Sequence, residues 1–315
     1  MFSLYVEFFV NLLQFRINLN NMRTILYTLL IVLTIQAKAQ NGKTYQIYNQ
    51  QEKKVDFDKM IKELAKYDVV LFGEHHNNAV NHWLQLQTTK ELYKIKGKQL
   101  ILGAEMFERH QQNDLTNYLK SKTTDDEFQK STKLWNNYKT DYKPLVDFAK
   151  EKNLDFVATN VSRKYASYVA KNGLEALDTV PNNEKVFIAK LPITIDYDAP
   201  GYPEMIKMMG DHAGVKAKQF VAAQATKDAT MAESILNNLK KNNLFIHYNG
   251  DYHSKNYGGI YWYLKFFRPE LKIAVIEILE SEDLNEKISA IKSKNENVTT
   301  TEFIIVFPKD SPKTY

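Results

Sequence analysis

The sequence predicts an α/β fold: a mainly parallel sheet flanked by helices, with helical insertions over the C-terminal edge of the strands. Three observations carry this. Short apolar, β-branched runs alternate with stretches whose apolar residues recur at helical spacing. No internal repeat or low-complexity tract interrupts the alternation. Ionisable residues gather at the ends of several runs, on the edge where α/β sheets bind ligands.

Met22-Arg23 opens an apolar stretch over 24–35 that is followed by Ala37-Lys38-Ala39 and Gln40. A basic start, an apolar run and an Ala-x-Ala site read as a secretory signal peptide. Residues 1–39 are therefore expected to be a signal region with Met22 as the true start. Residues 40–315 are expected to form a single domain. A membrane anchor fits less well, because Gln36 and Lys38 interrupt the stretch before it reaches the roughly 20 apolar residues a span needs. Residues 41–56 read as a polar leader.

The first helix is predicted over 57–67, with Met60, Ile61, Leu64 and Ala65 at helical spacing. The run Val69-Val70-Leu71-Phe72 is the first buried strand and leads into Gly73-Glu74-His75-His76. Asn77 or Asn78 caps the next helix, striped by Val80, Leu84, Leu92 and Ile95 and closed by Gly97. Leu100-Ile101-Leu102-Gly103-Ala104 is the second strand and ends at Glu105. Residues 106–143 turn polar, with helically spaced Phe107, Leu115, Leu119, Phe128, Leu134, Trp135 and Tyr138, and read as a helical insertion.

A helix over 144–152, a strand over 155–159 and a helix over 162–172 follow. Four of the eight prolines (Pro181, Pro192, Pro200, Pro203) fall in 180–215, so a second irregular or helical insertion is expected near 198–235. The remaining elements are a helix over 227–239, a strand over 244–248 entering Asn249-Gly250-Asp251-Tyr252-His253, a helix over 259–267, and strands over 273–278 and 303–307.

The net charge is +5, and losing residues 1–39, which carry Arg16, Arg23, Lys38 and Glu7, lowers it by two. No Lys/Arg block is present, so nucleic acid is not an expected partner. The chain has no cysteine. This excludes disulfides, thiolate catalysis, Cys-ligated zinc or iron–sulfur sites, and lipid attachment at a cysteine. The expected location is outside the cytoplasm, free in a periplasm.

Parallel strands present their C-terminal ends on one edge, so Glu74, His76, Glu105 and His253 are expected to converge. A carboxylate beside an imidazole serves as general base, orients water or holds a divalent metal. Alternatively, Glu74 caps a turn and the histidines are surface groups. His82 and Gln85 share a helix face, with His82 in support. Gln224 and Asp228 stand at i, i+4, and Asp228 alternatively complements a helix N-terminus. Asn160 and Arg163 follow the third strand, where Arg163 either pairs with a ligand carboxylate or is solvated. Tyr248, Tyr252, Tyr257, Tyr261 and Tyr263 crowd around His253. Tyrosine suits planar ligands and serves as a haem ligand in some proteins.

The chain resembles the ChaN-like haem-binding uptake family from about Phe57 to Glu280. The resemblance rests on Gly73-Glu74-His75-His76 with His82 and Gln85, Glu105-Met106-Phe107 with Gln112, and Asp141-Tyr142-Lys143-Pro144-Leu145. It continues in Ala158-Thr159-Asn160-Val161-Ser162-Arg163, Ala223-Gln224 with Asp228-Ala229-Thr230-Met231-Ala232, Asn249-Gly250-Asp251-Tyr252-His253 and Gly258-Gly259-Ile260. The wider superfamily resembles Tiki proteases, TraB proteins and erythromycin esterases, whose Gly-x-x-His, following acid and late histidine match Gly73 with His76, Glu105 and His253.

The resemblance implies haem binding in bacterial iron uptake. The expected ligand-binding residues are Glu74, His76, Glu105, Arg109, Asn160, Arg163, Gln224, Asp228 and His253. The candidate iron ligands are Tyr202, Tyr252 and Tyr257. Haem is the expected cofactor, and an outer-membrane haem-uptake receptor and a homodimer are the candidate partners. The alternative is a hydrolase using Glu74, His76, Glu105 and His253, in which His76, Glu105 and His253 would hold any divalent metal. Two departures stand out. Family members are typically lipoproteins, whereas this chain has no cysteine to lipidate, and Ser162 stands where a proline is expected.

Overall fold

The computed structural model describes residues 44–210, 214–294 and 301–315. The expected signal region and the Met22 start lie outside these residues. Eight strands form one sheet: β1 (Gln46–Asn49), β2 (Lys54–Val55), β3 (Val69–Glu74), β4 (Leu100–Glu108), β5 (Phe156–Asn160), β6 (Leu244–Gly250), β7 (Ile273–Ser281) and β8 (Phe303–Pro308). Their spatial order is β2-β1-β8-β7-β3-β6-β4-β5. The six strands from β8 to β5 run parallel, and β1 and β2 are antiparallel at one edge.

Side chains of β3 alternate between two cores. Val70 and Phe72 join the core packed under α1 (Phe57–Leu64), α2 (Ala79–Lys96) and α5 (Lys143–Glu151). Val69 and Leu71 join the core under α6 (Arg163–Asn172), α9 (Val215–Asn238) and α10 (Gly259–Phe267). Both faces are thus covered, which is why the strand runs are mostly apolar. A smaller cluster lies under α11 (Ile288–Lys294) and joins Ile291 to Ile304 and Val306. Asn78 caps α2 by accepting the Asn81 backbone N–H at 3.0 Å.

The polar leader over 41–56 contains β1 and β2, which were not expected. Gln46–Asn49 pairs in register with Val306 to Phe303 and closes the β8 edge. The insertion expected from 106 starts later, because β4 continues to Glu108 and buries Met106 and Phe107 in the core. It is built of α3 (Gln112–Leu119), α4 (Asp125–Ser131) and one π-helical turn, Tyr138–Tyr142. The helix expected over 227–239 begins at Val215 and packs on β5, α6 and α10. Two short helices, α7 (Asn182–Lys185) and α8 (Tyr202–Met208), occupy the proline-rich stretch.

Among the described residues, no helix is long and apolar enough to cross a membrane.

Candidate functional site

The C-terminal ends of β3, β4 and β6 lie side by side at the centre of the sheet. The Gly73 backbone passes close to the turn after β6: a Cβ there would lie 2.5 Å from Asp251 Oδ1 and 2.9 Å from the Ile276 carbonyl. Only glycine allows that approach. Glu74 follows and is buried. Its Oε1 faces His76 Nδ1 at 2.8 Å and accepts the Tyr142 hydroxyl at 2.6 Å, while Oε2 accepts Gln85 Nε2 at 2.8 Å. The π-helical turn is what carries Tyr142 inward to this carboxylate.

Burial pushes the Glu74 carboxyl up, but the imidazoles of His82 and His76 and the Tyr142 hydroxyl outweigh it and hold the group below its ordinary range. Burial alone would lower His76, but the hydrogen bond and charge of Glu74, with Glu105 beyond, raise its pKa above 6.5. The His76 carbonyl accepts Asn137 Nδ2 and faces His82 Nε2, each at 3.0 Å. The His76 ring stands edge-on to Trp135, with centroids 5.0 Å apart.

A second cluster lies on the other face of the sheet. At Glu105 the β4–β5 register shifts between Ala104 and Glu108, a bulge that re-aims the strand. The Glu105 carbonyl accepts Asn160 Nδ2 at 3.0 Å, and its Oε2 accepts the Gly250 N–H at 2.8 Å. Oε1 faces His253 Nε2 at 3.3 Å, and His253 Nδ1 lies 2.5 Å from Asp228 Oδ1. Tyr202 donates to Asp228 Oδ2 at 2.8 Å. Burial disfavours an imidazolium here, yet Glu105 and Asp228 together raise His253 to about 10. Glu105 is pushed up by burial and pulled much further down by His253.

Gly250 separates the two clusters. A Cβ there would lie 2.8 Å from His76 Cε1, 2.9 Å from His76 Nε2 and 3.4 Å from Glu105 Oε2. The missing side chain is the space into which the His76 ring fits. In front of it lies a cleft of about 590 Å³ lined by His76, Glu105, Glu108, residues 133–137, Asn160, Val161, Arg163, Lys227 and Tyr315. Its volume suits a cofactor-sized ligand, for which sites span about 300–1,000 Å³. Lys133, Arg163 and Lys227 supply cations, and Trp135 and Tyr315 supply aromatic surface.

The model of the family described as "Haem-binding uptake, Tiki superfamily, ChaN" matches residues 60–264, about two thirds of the sequence and all the strand ends just described. The chain belongs to this family. Among solved structures, one titled cofacial heme binding to ChaN of Campylobacter jejuni superposes with a TM-score of 0.64 at 18% identity. That match covers 84% of this chain and 98% of the other, and shows a shared fold. An erythromycin esterase, EreC, in an open conformation aligns at 10% identity over 86% of this chain and 98% of its own, with a TM-score of 0.47. The type III effector HopBA1 aligns at 13% identity over 80% and 92%, with a TM-score of 0.43. No curated protein matches.

In this ChaN-like chain the sequence-predicted residues divide. Glu74, His76, Glu105, Asn160, Asp228 and His253 come together as described, and Arg163 lines the cleft rim. Arg109 lies apart from this cleft. Its guanidinium binds Glu233 at 2.9 Å, Ser234 Oγ at 2.8 Å and the carbonyls of Ile188 and Thr230, clamping the insertion to α9. Gln224 sits one turn before Asp228 and does not line the cleft.

None of the three tyrosines expected as iron ligands lines it either. Tyr202 is buried on Asp228, and Tyr257 donates to Glu302 at 3.2 Å. Tyr252 is exposed, with the Lys255 ammonium 4.1 Å over its ring.

The divalent-metal expectation at His76, Glu105 and His253 finds no support. Among the described residues, no group of three His, Asp or Glu side chains is placed to hold a metal ion. The physical reason is that both His253 nitrogens already face carboxylates, so the ring has no lone pair left to give. Lys133, Lys227 and Tyr315 join the cleft without having been singled out, because nothing in their local sequence marks them, and Trp135, expected only as part of the insertion's apolar stripe, joins it too.

Proposed function

We propose that the chain binds haem in this cleft, with His76 Nε2 as an iron ligand. The observation that carries this reading is the state of the His76 ring. Nδ1 is engaged by a buried carboxylate while Nε2 has no protein partner among the described residues and belongs to a wall of the cleft. A carboxylate on Nδ1 fixes the tautomer and raises the basicity of the other nitrogen, the arrangement used to hold metal centres. The residues present fit the group. Trp135 offers a flat apolar face, and Lys133, Arg163 and Lys227 offer positive charge to the two propionates. Haem would supply the iron, and the chain supplies the ligand nitrogen, its orientation and the charge around it.

Export through residues 22–39 to a periplasm, delivery to or from an outer-membrane haem-uptake receptor, and a homodimer belong to the same reading. Cofacial binding sets two haems face to face, which two copies with clefts opposed would accommodate.

A second reading, hydrolysis without metal, draws on one observation: the ionised Glu105 and the Glu74-paired His76 share the cleft. His76 would then act as general base on a water.

Optical titration of the full chain with haemin tests the first reading. A saturable Soret change in the wild type that His76→Ala abolishes supports it. An unsaturable signal overturns it, and ester cleavage that is lost in His76→Ala would favour the second reading.

A further inference from the structure

The tail after β8 is tied to the turn that carries His76. Ser311 donates to the Pro308 carbonyl through its hydroxyl at 2.6 Å and its N–H at 3.0 Å. The Pro312 carbonyl accepts the Ala79 N–H at 3.0 Å, Lys313 forms a bridge with Asn78, and the Thr314 N–H donates to the Asn77 carbonyl at 2.9 Å. Thr314 Oγ1 donates to Asp141 Oδ2 at 2.9 Å, and Lys313 pairs with Glu280 at 3.0 Å.

Here successive tail residues are pinned to Asn77, Asn78 and Ala79, which immediately follow His76. The tail and the His76 turn therefore move as one piece. Tyr315 follows these ties and lines the cleft with His76 and Trp135, yet its side chain is 71% exposed. Among the described residues it has neither a ring partner nor a hydrogen-bond partner. A large aromatic side chain held on an anchored backbone beside a cleft, with nothing to pack on, is a contact surface awaiting a ligand.

We infer that Tyr315 is a ligand-contact residue, its ring lying against a planar aromatic macrocycle in the cleft, and that Thr314 positions it. This rests on the haem reading above. It adds a wall that the family match, which ends at residue 264, does not include.

The test compares haemin with iron-free protoporphyrin IX on the full chain. A stacking wall acts on the macrocycle whether or not iron is present. Tyr315→Ala should weaken both ligands about tenfold, which is roughly what one aromatic stack contributes, while Tyr315→Phe stays within twofold of wild type for both. His76→Ala should weaken haemin far more than protoporphyrin. Thr314→Pro deletes the N–H to Asn77 and should reproduce the Tyr315→Ala loss, with no further loss in the double variant. An unchanged melting temperature in Tyr315→Ala is expected from its exposure. If Tyr315→Ala binds both ligands as wild type does, the inference falls and the haem reading stands. If the wild type binds neither, both fall.

Discussion

The Glu74 carboxylate and the His76 imidazole meet at 2.8 Å through Oε1 and Nδ1, and every other contact of Glu74 reinforces that pairing. Tyr142 holds Oε1 and Gln85 holds Oε2, so the carboxylate cannot turn away. The ring is thereby held with Nε2 over Gly250 and towards the cleft. Two residues of one four-residue motif thus divide the work: one is buried and orients, the other is half-exposed and lines the cleft.

His76→Ala is expected to cut haemin affinity at least a hundredfold and, because it leaves the buried Glu74 carboxylate without the imidazole it faces, to lower thermal stability as well. Glu74→Gln keeps the side chain's shape but donates where it accepted. Loss of such a supporting carboxylate typically costs 10–100-fold in affinity, so it should fall between wild type and His76→Ala. Optical titration of the three proteins orders them; equal affinities would sink the pairing as the source of binding.

The pH dependence follows from the raised His76 pKa. A proton and the iron compete for the same Nε2 lone pair. Haemin affinity should therefore be level at alkaline pH and fall as pH drops through that pKa, which lies above 6.5. Below it, the loss should approach tenfold per pH unit, with one proton released per iron bound. Titrations between pH 5.5 and 9 should show this slope in the wild type and a flat profile in His76→Ala.

Gly250→Ala probes the same ring from behind. Gly250 has ordinary negative φ, so alanine brings no backbone strain. Its Cβ would meet the imidazole at 2.8–2.9 Å, and the ring must shift. The variant should fold, with a melting temperature within a few degrees of wild type, and lose haemin affinity by about tenfold or more. A crystal structure showing His76 undisplaced would contradict the argument.

All six parallel strands were legible because a strand covered on both faces must be mostly apolar, and 69–72 and 100–104 are so at every position. The antiparallel β1 was not, because Gln46-Ile47-Tyr48-Asn49 is short and half polar, and only the open edge of β8 makes it a strand. The same division holds for the site. Glu74, Glu105 and His253 stand out as ionisable residues ending apolar runs. Lys227 sits on a long helix whose register against β5 is a tertiary matter. Tyr315 reaches the cleft only because the tail doubles back over Asn77, a path no local pattern encodes.

The Asp228–His253–Glu105 chain makes a prediction about stability. His253 rises from 6.5 unfolded to about 10 folded, so its contribution is fully present below pH 6.5 and is lost as pH rises towards 10. Denaturant midpoints should fall steadily between pH 7 and 10. His253→Gln removes the cation that two buried carboxylates share, which costs about 3–5 kcal/mol near neutral pH. It should also flatten the alkaline slope. A parallel slope in both proteins would assign the alkaline loss to other groups.

Glu277 also loses stability as pH rises, but over a lower range and through an uncharged buried carboxyl, and it gives the sharpest test of the fold. It is fully buried on β7, where the Asn256 backbone N–H, Lys255 and Lys292 only partly offset its burial. Burial, with Asp251 nearby, pushes it up to about 9. The folded state therefore holds it protonated at neutral pH, whereas the unfolded chain releases that proton near 4.5. Stability is lost as pH rises from 4.5 towards 9. Glu277→Gln keeps the shape and cannot ionise, so it should stabilise the protein at pH 7 by about 3 kcal/mol, taking about 1.4 kcal/mol per pH unit above 4.5. The gain should vanish at pH 4. Chemical denaturation of both proteins at pH 4 and pH 7 checks it, and a variant less stable than wild type at pH 7 would mean that Glu277 is ionised and engaged in the native state.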